Sequence, residues 1–141
     1  MAGKKNTEAK YTVSVASDYA EWWRYNIFLV VEAFDGEGGR IEYLKTSDTV
    51  YEIGDGTEVR EAPEGYDAAR PVSLTSPPCA YISIYLYVVP NTFPASSLIR
   101  ESPDFAMTLT VSREGEKVLS NEYSVNQWGG ITLVGLEAGR G

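Results

Sequence analysis

The sequence predicts an all-β protein, an antiparallel β-sandwich of about 7–9 short strands, with a β-barrel as the alternative. Three observations support this fold class. One segment, Ala80–Pro90, alternates strictly between two kinds of side chain. Several other segments show the same period of two, and glycine-containing turns separate them. Helical periodicity is almost absent. The order of the strands within the sheets does not follow from this pattern.

The Ala80–Pro90 segment is the strongest strand signal, because side chains of a strand point alternately to opposite faces. One face is wholly aliphatic and is expected to be buried. The other face carries mainly tyrosines, whose hydroxyl groups are polar. Such a face is typical of a partly exposed surface or of a surface covered by a loop. The aliphatic residues are Ile82, Ile84, Leu86 and Val88, and the opposite face carries Tyr81, Ser83, Tyr85, Tyr87 and Val89.

The remaining strands are predicted from weaker versions of this pattern. Residues Tyr25–Phe34 are apolar on both faces, which indicates a central strand covered on both sides. Turns are predicted at 35–39, 54–56 and 113–116, where glycines allow positive φ. A single helical turn is possible within 95–101. The other predicted strands are 11–16, 40–45, 49–53, 105–112, 117–125 and 131–136, with a short strand possible near Val72–Leu74.

The chain length of 141 residues fits one domain. We expect residues 1–9 to form a disordered N-terminal tail, residues 10–136 to form one β-sandwich domain, and residues 137–141 to form a frayed C-terminal tail. The segment 57–79 has four prolines and no clear period. It is too long for an ordinary connection, so it is functional, disordered or contains the short strand.

Charge limits the kinds of partner. The formal net charge is −8, and the segment 32–67 alone holds eleven acidic and three basic residues, a balance of −8. An acidic surface repels phosphate backbones and anionic lipids, so we expect neither nucleic-acid binding nor membrane insertion. An extracellular or cell-envelope location is favoured, a cytoplasmic one stays open, and an export signal removed from the chain would leave no trace in this sequence. The oligomeric state does not follow from the sequence.

Catalysis is disfavoured because the sequence contains no histidine, which removes histidine-dependent triads and imidazole acid–base schemes. The single cysteine, Cys79, lies beside a strand that is expected to be buried, and no activating base is evident nearby. We interpret it as a small buried hydrophobic residue. A small hydrolase using paired carboxylates is the enzyme alternative, but the sequence cannot place two carboxylates at the required separation.

Two acidic turns are candidate calcium ligands. They contain Asp35 with Glu37, and Asp55 with Glu58, with Asp48 and Asp67 close in sequence. Calcium requires six to eight oxygen ligands, and loops at one end of a sandwich can converge to provide them. The spacing does not match an EF-hand, and solvated turns chosen for backbone reasons are the simpler interpretation. No other cofactor is expected.

An aromatic cluster is the third candidate site. If Tyr19–Tyr25 were extended, Trp22 and Trp23 would point to opposite faces, so at least one is expected to be partly exposed. Trp128, flanked by amide side chains, adds a third large ring. Exposed rings can stack on sugars or anchor a partner protein, whereas the structural alternative is that the rings cap the ends of the core.

The sequence therefore favours a non-catalytic β-sandwich that binds a partner or has a structural role, as an accessory domain or component of a larger extracellular or cell-envelope assembly. Its partner would be a protein or a glycan. The alternatives are a carbohydrate-binding module that uses Trp22, Trp23 and Trp128, and a calcium-dependent, C2-like module that uses Asp35, Glu37, Asp55 and Glu58.

Overall fold

The protein is a sandwich of two four-stranded antiparallel sheets, which confirms the predicted fold class over the barrel. The computed structural model describes residues 8–51, 61–67, 72–94 and 98–139. The strands within these ranges are β1 (Tyr11–Ala16), β2 (Tyr25–Phe34), β3 (Arg40–Asp48), β4 (Val72–Thr75), β5 (Tyr81–Pro90), β6 (Phe105–Arg113), β7 (Glu116–Val125) and β8 (Ile131–Ala138). The first sheet has the order β4-β1-β6-β7 and the second has the order β3-β2-β5-β8.

The core lies between the inner faces of the two sheets. Both inner faces are aliphatic because every second residue of the central strands is a branched or long apolar side chain, and burying that surface drives the packing. The prediction for β5 is confirmed, since Ile82, Ile84 and Leu86 are 0% exposed and Val88 is 1% exposed. The first sheet contributes Val13, Val15, Met107, Leu109 and Val111, all fully buried.

The central position predicted for β2 is confirmed, because β2 pairs along its length with β3 on one side and β5 on the other. Its outer side is less covered than expected. Phe28, Val30 and Phe34 are only half-buried there, whereas Leu29 on the inner side is fully buried. On this side Phe34 stacks on Tyr81 of the neighbouring β5, with ring centroids 5.0 Å apart.

The predicted strand at 49–53 is wrong for Thr49–Tyr51, and its remaining residues lie outside the described ranges. Instead, β3 continues to Asp48, which pairs with Ile27 of β2. Beyond that point, the side chain of Asn26 replaces the backbone ladder. Its Oδ1 accepts a hydrogen bond from the Val50 N–H, and its Nδ2 donates to the Tyr51 carbonyl.

The shorter predictions have mixed outcomes. The short strand near Val72–Leu74 is confirmed as β4. The turn before Glu116 is confirmed, and it is a type I′ hairpin because Glu114 and Gly115 have φ values of 51° and 85°. Within 95–101, Ile99–Glu101 form a 3₁₀ turn. The turn predicted at 54–56 lies outside the described residues.

Two described residues just outside the predicted bounds of the domain, Ala9 and Ala138, pair or pack with it. Ala9, placed in the tail by the sequence analysis, is 2% exposed and forms a β-bridge with Cys79. At the other end, β8 continues two residues past position 136 to Ala138, which is 7% exposed. Both ends are retained by backbone pairing and burial that local sequence pattern does not report.

Candidate functional site

Trp22 and Trp23 are both buried, with exposed fractions of 2% and 5%, so the expectation that at least one is exposed is wrong. The cause is local geometry. Trp22–Arg24 form a 3₁₀ turn, not a strand. Consecutive side chains in such a turn are about 120° apart and are not forced to opposite faces, since there are three residues per turn. Both indoles can therefore point away from solvent.

Each of these two indoles has a structural role at the end of the sandwich. The Trp22 ring packs against Tyr25 and Phe105, with ring centroids 6.0 Å and 5.8 Å away. The Trp23 ring lies edge-on to Tyr51, and the Arg24 guanidinium carbon lies 4.7 Å from its centroid. These contacts match the alternative that the rings cap the core.

Trp128 is the tryptophan that is exposed, with 41% of its surface accessible. Its indole Nε1 donates to Ser102 Oγ at 3.1 Å, and its ring lies 6.4 Å from Phe93. Asn126 Oδ1 accepts from the Trp128 N–H and fixes the turn. Because the other two indoles are buried, the three tryptophans predicted as binding residues do not form one surface.

The acidic turn between β2 and β3 uses its carboxylate to close the turn. Asp35 Oδ1 accepts hydrogen bonds from the N–H groups of Glu37 and Gly39, at 2.9 Å and 2.8 Å. Asp55 and Glu58, the other two predicted calcium ligands, lie outside the described ranges. Where the structure describes the chain, no three potential metal-ligating side chains lie together. The calcium hypothesis stays a prediction, and for Asp35 the backbone explanation is sufficient.

Cys79 is fully buried, as the sequence analysis expected. Its Sγ lies 3.6 Å from Ser76 Oγ, and burial raises the pKa of the thiol above its ordinary value. A raised pKa lowers the fraction of thiolate, which is the nucleophilic form. The environment of Cys79 therefore favours a packing role.

The most distinctive surface is the outer face of the second sheet, at β3, β2 and β5. A shallow depression of about 270 Å³ lies there. We call its lining the tyrosine face. It consists of Val30, Glu32, Tyr43, Tyr85 and Tyr87.

The strand order brings these residues together from three strands. Glu32 pairs with Tyr43 of β3 and with Ser83 of β5, and Val30 pairs with Tyr85. Neighbouring strands lie about 4.8 Å apart, and two residues along a strand span about 6.8 Å. The α carbons of Tyr43 and Tyr85 are therefore about 12 Å apart, and Tyr87 lies two residues further along β5 on the same face.

The three phenol rings are accessible to a ligand. Tyr43 is 50% exposed, Tyr87 is 36% exposed, and Tyr85 is half-buried between its neighbours. None of the three hydroxyl groups has a hydrogen-bond partner within the described part of the chain. These rings therefore offer flat apolar surface together with polar groups that can bind a ligand.

An ion pair borders the depression. Arg40 Nη1 donates to Glu32 Oε2 at 3.0 Å, and the guanidinium carbon lies 5.6 Å from the Tyr43 ring centroid. The Glu32 side chain is 18% exposed and that of Arg40 is 55% exposed. The arrangement places one carboxylate and one guanidinium beside an exposed ring, where both can make charge-assisted hydrogen bonds to a ligand.

Sequence reasoning identified part of this face. Alternation along β5 predicts that its aromatic side, with Tyr85 and Tyr87, is partly exposed. The tryptophans remain the binding residues that the sequence alone favours, because local pattern does not show that β3 and β5 both flank β2. The available signal was the alternation of tyrosines in β5 on the side opposite the aliphatic residues.

A second depression of about 260 Å³ lies at the end of β3 and is lined by 48–50 and 63–66. Asp48 and Glu64 give it an acidic character. It has no comparable set of exposed rings, so the tyrosine face is the stronger candidate for ligand binding.

Comparison with known proteins assigns no relative to this chain: no family model, no curated protein and no solved structure matches it. The described residues also include no helix with the length and apolar character needed to cross a membrane. The fold and the tyrosine face therefore carry the functional argument.

Proposed function

We propose that the protein is a non-catalytic carbohydrate-binding module, acting as an accessory domain or component of a larger extracellular or cell-envelope assembly. The observation that supports this proposal is the set of three accessible tyrosines and one carboxylate around a shallow depression. The predicted binding residues Trp22 and Trp23 are replaced in this proposal by Tyr43, Tyr85 and Tyr87.

The chemistry of sugars matches such a surface. One face of a pyranose ring presents C–H groups, which pack on the electron-rich face of an aromatic ring, while the hydroxyl groups at its edge need hydrogen-bond partners. Tyrosine provides a large contact area with only two side-chain torsions to fix, so little entropy is lost on binding. Glu32 and Arg40 adjoin the Tyr43 ring, so both are available to bond to the hydroxyl groups of a sugar that packs there.

Binding without catalysis is favoured because the depression is lined by a single carboxylate, Glu32. Glycoside hydrolysis ordinarily uses two carboxyl groups that flank the scissile bond. The absence of histidine from the sequence also removes the most common general acid–base residue.

The test is affinity gel electrophoresis of the purified protein through gels that contain soluble polysaccharides, followed by calorimetry with any polysaccharide that retards it. We expect retardation by at least one polysaccharide. We expect Tyr43→Ala and Tyr85→Ala each to weaken binding by roughly ten-fold or more, since stacked aromatic residues dominate such sites. Thermal melting of each variant checks that the fold is retained.

Two matched variants serve as controls. Thr110→Ala changes the outer face of the first sheet and should leave binding unchanged. Trp128→Ala removes the other exposed ring and should also leave it unchanged. If no polysaccharide retards the protein, the proposal is wrong. If Trp128→Ala abolishes binding while both tyrosine variants bind normally, the protein binds carbohydrate through Trp128 and the assignment of the tyrosine face is wrong. Repeating the assay with calcium and with a chelator separates the calcium-dependent alternative.

A protein partner is the second candidate, and one observation favours it. Phe93, Leu98 and Trp128 are 55%, 45% and 41% exposed, and the Phe93 and Trp128 rings lie close together. Recognition surfaces in protein complexes are enriched in such rings. If this candidate is correct, binding to the partner will be lost with Trp128→Ala and retained with Tyr85→Ala.

A further inference from the structure

We infer that the glycan bound by the tyrosine face is uncharged, and that Glu32 and Arg40 together select it by bonding to its hydroxyl groups. This inference rests on the proposed carbohydrate-binding function. It adds the class of the ligand and the residues that determine specificity.

The charge balance of the face supports a neutral ligand. By strand register, the whole outer surface of the second sheet, which surrounds the tyrosine face, carries two acidic residues, Glu32 and Glu137, and two basic residues, Arg40 and Lys45, so its net charge is zero. The whole chain, by contrast, carries 20 acidic and 12 basic residues, a formal charge of −8. Because Arg40 pairs with Glu32, which is the one charged residue of the depression lining, the depression itself carries no uncompensated charge.

Charged ligands fit this surface poorly. An anionic polysaccharide would be repelled by the overall charge of the protein and by Glu32, which lies at the depression itself. A cationic ligand would compete with Arg40, whose guanidinium already neutralises the Glu32 carboxylate at 3.0 Å. A ligand without charge avoids both costs, because neither residue of the pair would have to give up its partner.

The ion pair has donors and an acceptor left for hydroxyl groups. Within the described ranges, the Glu32 carboxylate bonds only to Arg40, through Oε2, so Oε1 can accept from a ligand hydroxyl. A guanidinium has five N–H donors, and one of them, on Nη1, is used for Glu32. Adjacent hydroxyls of one sugar ring could therefore donate to Glu32 and accept from Arg40, while the sugar packs on the part of the Tyr43 ring that the guanidinium leaves exposed.

The spacing of the tyrosines indicates a chain of linked sugars, not a single one. Tyr43 on β3 and Tyr87 on β5 are separated by β2. Tyr43 pairs with Glu32 of β2, whereas Tyr87 pairs with Phe28, four residues away along that strand. Their α carbons are therefore about 17 Å apart. The face between them is continuous, since Val30 and Tyr85 line the depression along this diagonal. One sugar ring cannot contact both outer tyrosines, whereas a short stretch of an extended polysaccharide can.

The experiment compares neutral and anionic polysaccharides by affinity electrophoresis and calorimetry. The neutral probes are mixed-linkage β-glucan, xyloglucan, galactomannan and soluble starch, and the anionic probes are alginate, polygalacturonate and heparin. We expect at least one neutral polysaccharide to bind and none of the anionic ones. We also expect affinity to change by less than about two-fold between low and high salt, because binding that involves no net charge is not screened.

Substitutions then test the two residues. Glu32→Gln should weaken binding of the neutral polysaccharide by about ten-fold, because a charge-assisted hydrogen bond is replaced by a neutral one. Arg40→Lys keeps the charge but loses the planar set of donors, and a comparable loss is expected. Lys45→Gln, on the same face but outside the depression lining, is the matched control and should bind normally.

The possible outcomes separate this inference from the proposed function. If an anionic polysaccharide binds, and Tyr85→Ala and added salt both abolish its binding, the inference about charge is wrong and the carbohydrate-binding role stands. If a neutral polysaccharide binds equally well to the parent and to Glu32→Gln, the assignment of Glu32 is wrong. If no polysaccharide of either kind binds, the proposed function itself fails.

Discussion

The two sheets of this sandwich have similar inner faces and very different outer faces. The inner faces are aliphatic in both sheets and are fully buried at their centres. The outer face of the first sheet consists mainly of small hydroxyl side chains, and we call it the hydroxyl face. Its hydroxyl residues are Thr12, Ser14, Ser73, Thr75, Thr108, Thr110, Ser112, Ser120 and Ser124. The outer face of the second sheet carries the rings, aliphatic groups and ion pair of the tyrosine face.

This difference separates what the fold requires from what function adds. Threonine suits a pleated surface, and small hydroxyls are well hydrated, so the hydroxyl face is what a half-buried sheet needs for stability and solubility. The Thr12 and Thr75 hydroxyls even bond to each other, at 3.0 Å. Accessible rings are not needed for either purpose, and clustered exposed apolar surface commonly marks a site of interaction. The second sheet therefore has a surface that its fold does not explain.

The largest expected effect tests whether the two sheets are equivalent on the inside. Leu86 in the second sheet and Leu109 in the first are both 0% exposed. Leu86→Ala and Leu109→Ala should each lower the free energy of unfolding by about 2–5 kcal/mol, because each leaves a cavity in the core. Urea denaturation of the two variants and the parent measures this directly.

Unequal losses of stability in the two variants would contradict the equivalence of the two inner faces. If Leu109→Ala unfolds at the same urea concentration as the parent while Leu86→Ala does not, the first sheet contributes little to the core. The contrast between the outer faces would then reflect a difference in how the sheets pack, and the argument from equal inner faces would no longer hold.

The contrast between the inner and outer faces also shows which features the sequence alone can predict. Alternation in β5 predicted the buried side of Leu86 and the wet side of Tyr85, because that pattern is local and has a fixed period. Pairing of β3 and β5 with β2 is not local, so the depression among Tyr43, Glu32 and Tyr85 could not be predicted. The burial of both Trp22 and Trp23 could not be predicted for a different reason, since two adjacent tryptophans in a sequence are compatible with a strand and with a 3₁₀ turn.

A moderate effect on stability is expected when one residue of each outer face is replaced by a residue typical of the other face. Tyr85→Thr gives the tyrosine face a residue typical of the hydroxyl face, and Thr110→Tyr does the reverse. Each should change the free energy of unfolding by only about 0.2–1 kcal/mol, because the contribution is that of a cross-strand pair, such as Tyr85 with Val30. Urea midpoints measured side by side give both values.

The first of these two variants is the sharper one. A loss of more than about 2 kcal/mol in Tyr85→Thr would be in the range of core truncations, and it would show that the ring is needed for folding. The tyrosine face would then be part of the structural core and would have little surface left for a ligand. A small loss together with lost polysaccharide binding would separate the two roles of this residue.

The smallest expected effect distinguishes Tyr19, a half-buried tyrosine that packs against the core, from the more exposed rings of the tyrosine face. Tyr19 stacks on Phe105 with centroids 4.0 Å apart, and its hydroxyl donates to Glu21 Oε1 at 3.2 Å. Burial, with a further contribution from the Glu21 carboxylate, raises the pKa of Tyr19 from 10.0 to about 12. Burial also raises the pKa of Tyr25 in the same cluster.

The sign of the pH dependence follows from these shifts. Below pH 10 a tyrosine keeps its proton in both states, so the neutral buried form stabilises the fold fully. Between pH 10 and about 12 the unfolded chain loses the proton while folded Tyr19 retains it, so the free energy of unfolding falls as pH rises. Tyr19→Phe should make this decline shallower in thermal melts across that range. Part of the decline should remain, because burial also raises the pKa of Tyr25. Parallel declines for the parent and Tyr19→Phe would mean that proton release from Tyr19 is not linked to unfolding, and the distinction between structural and surface tyrosines would then rest on burial alone.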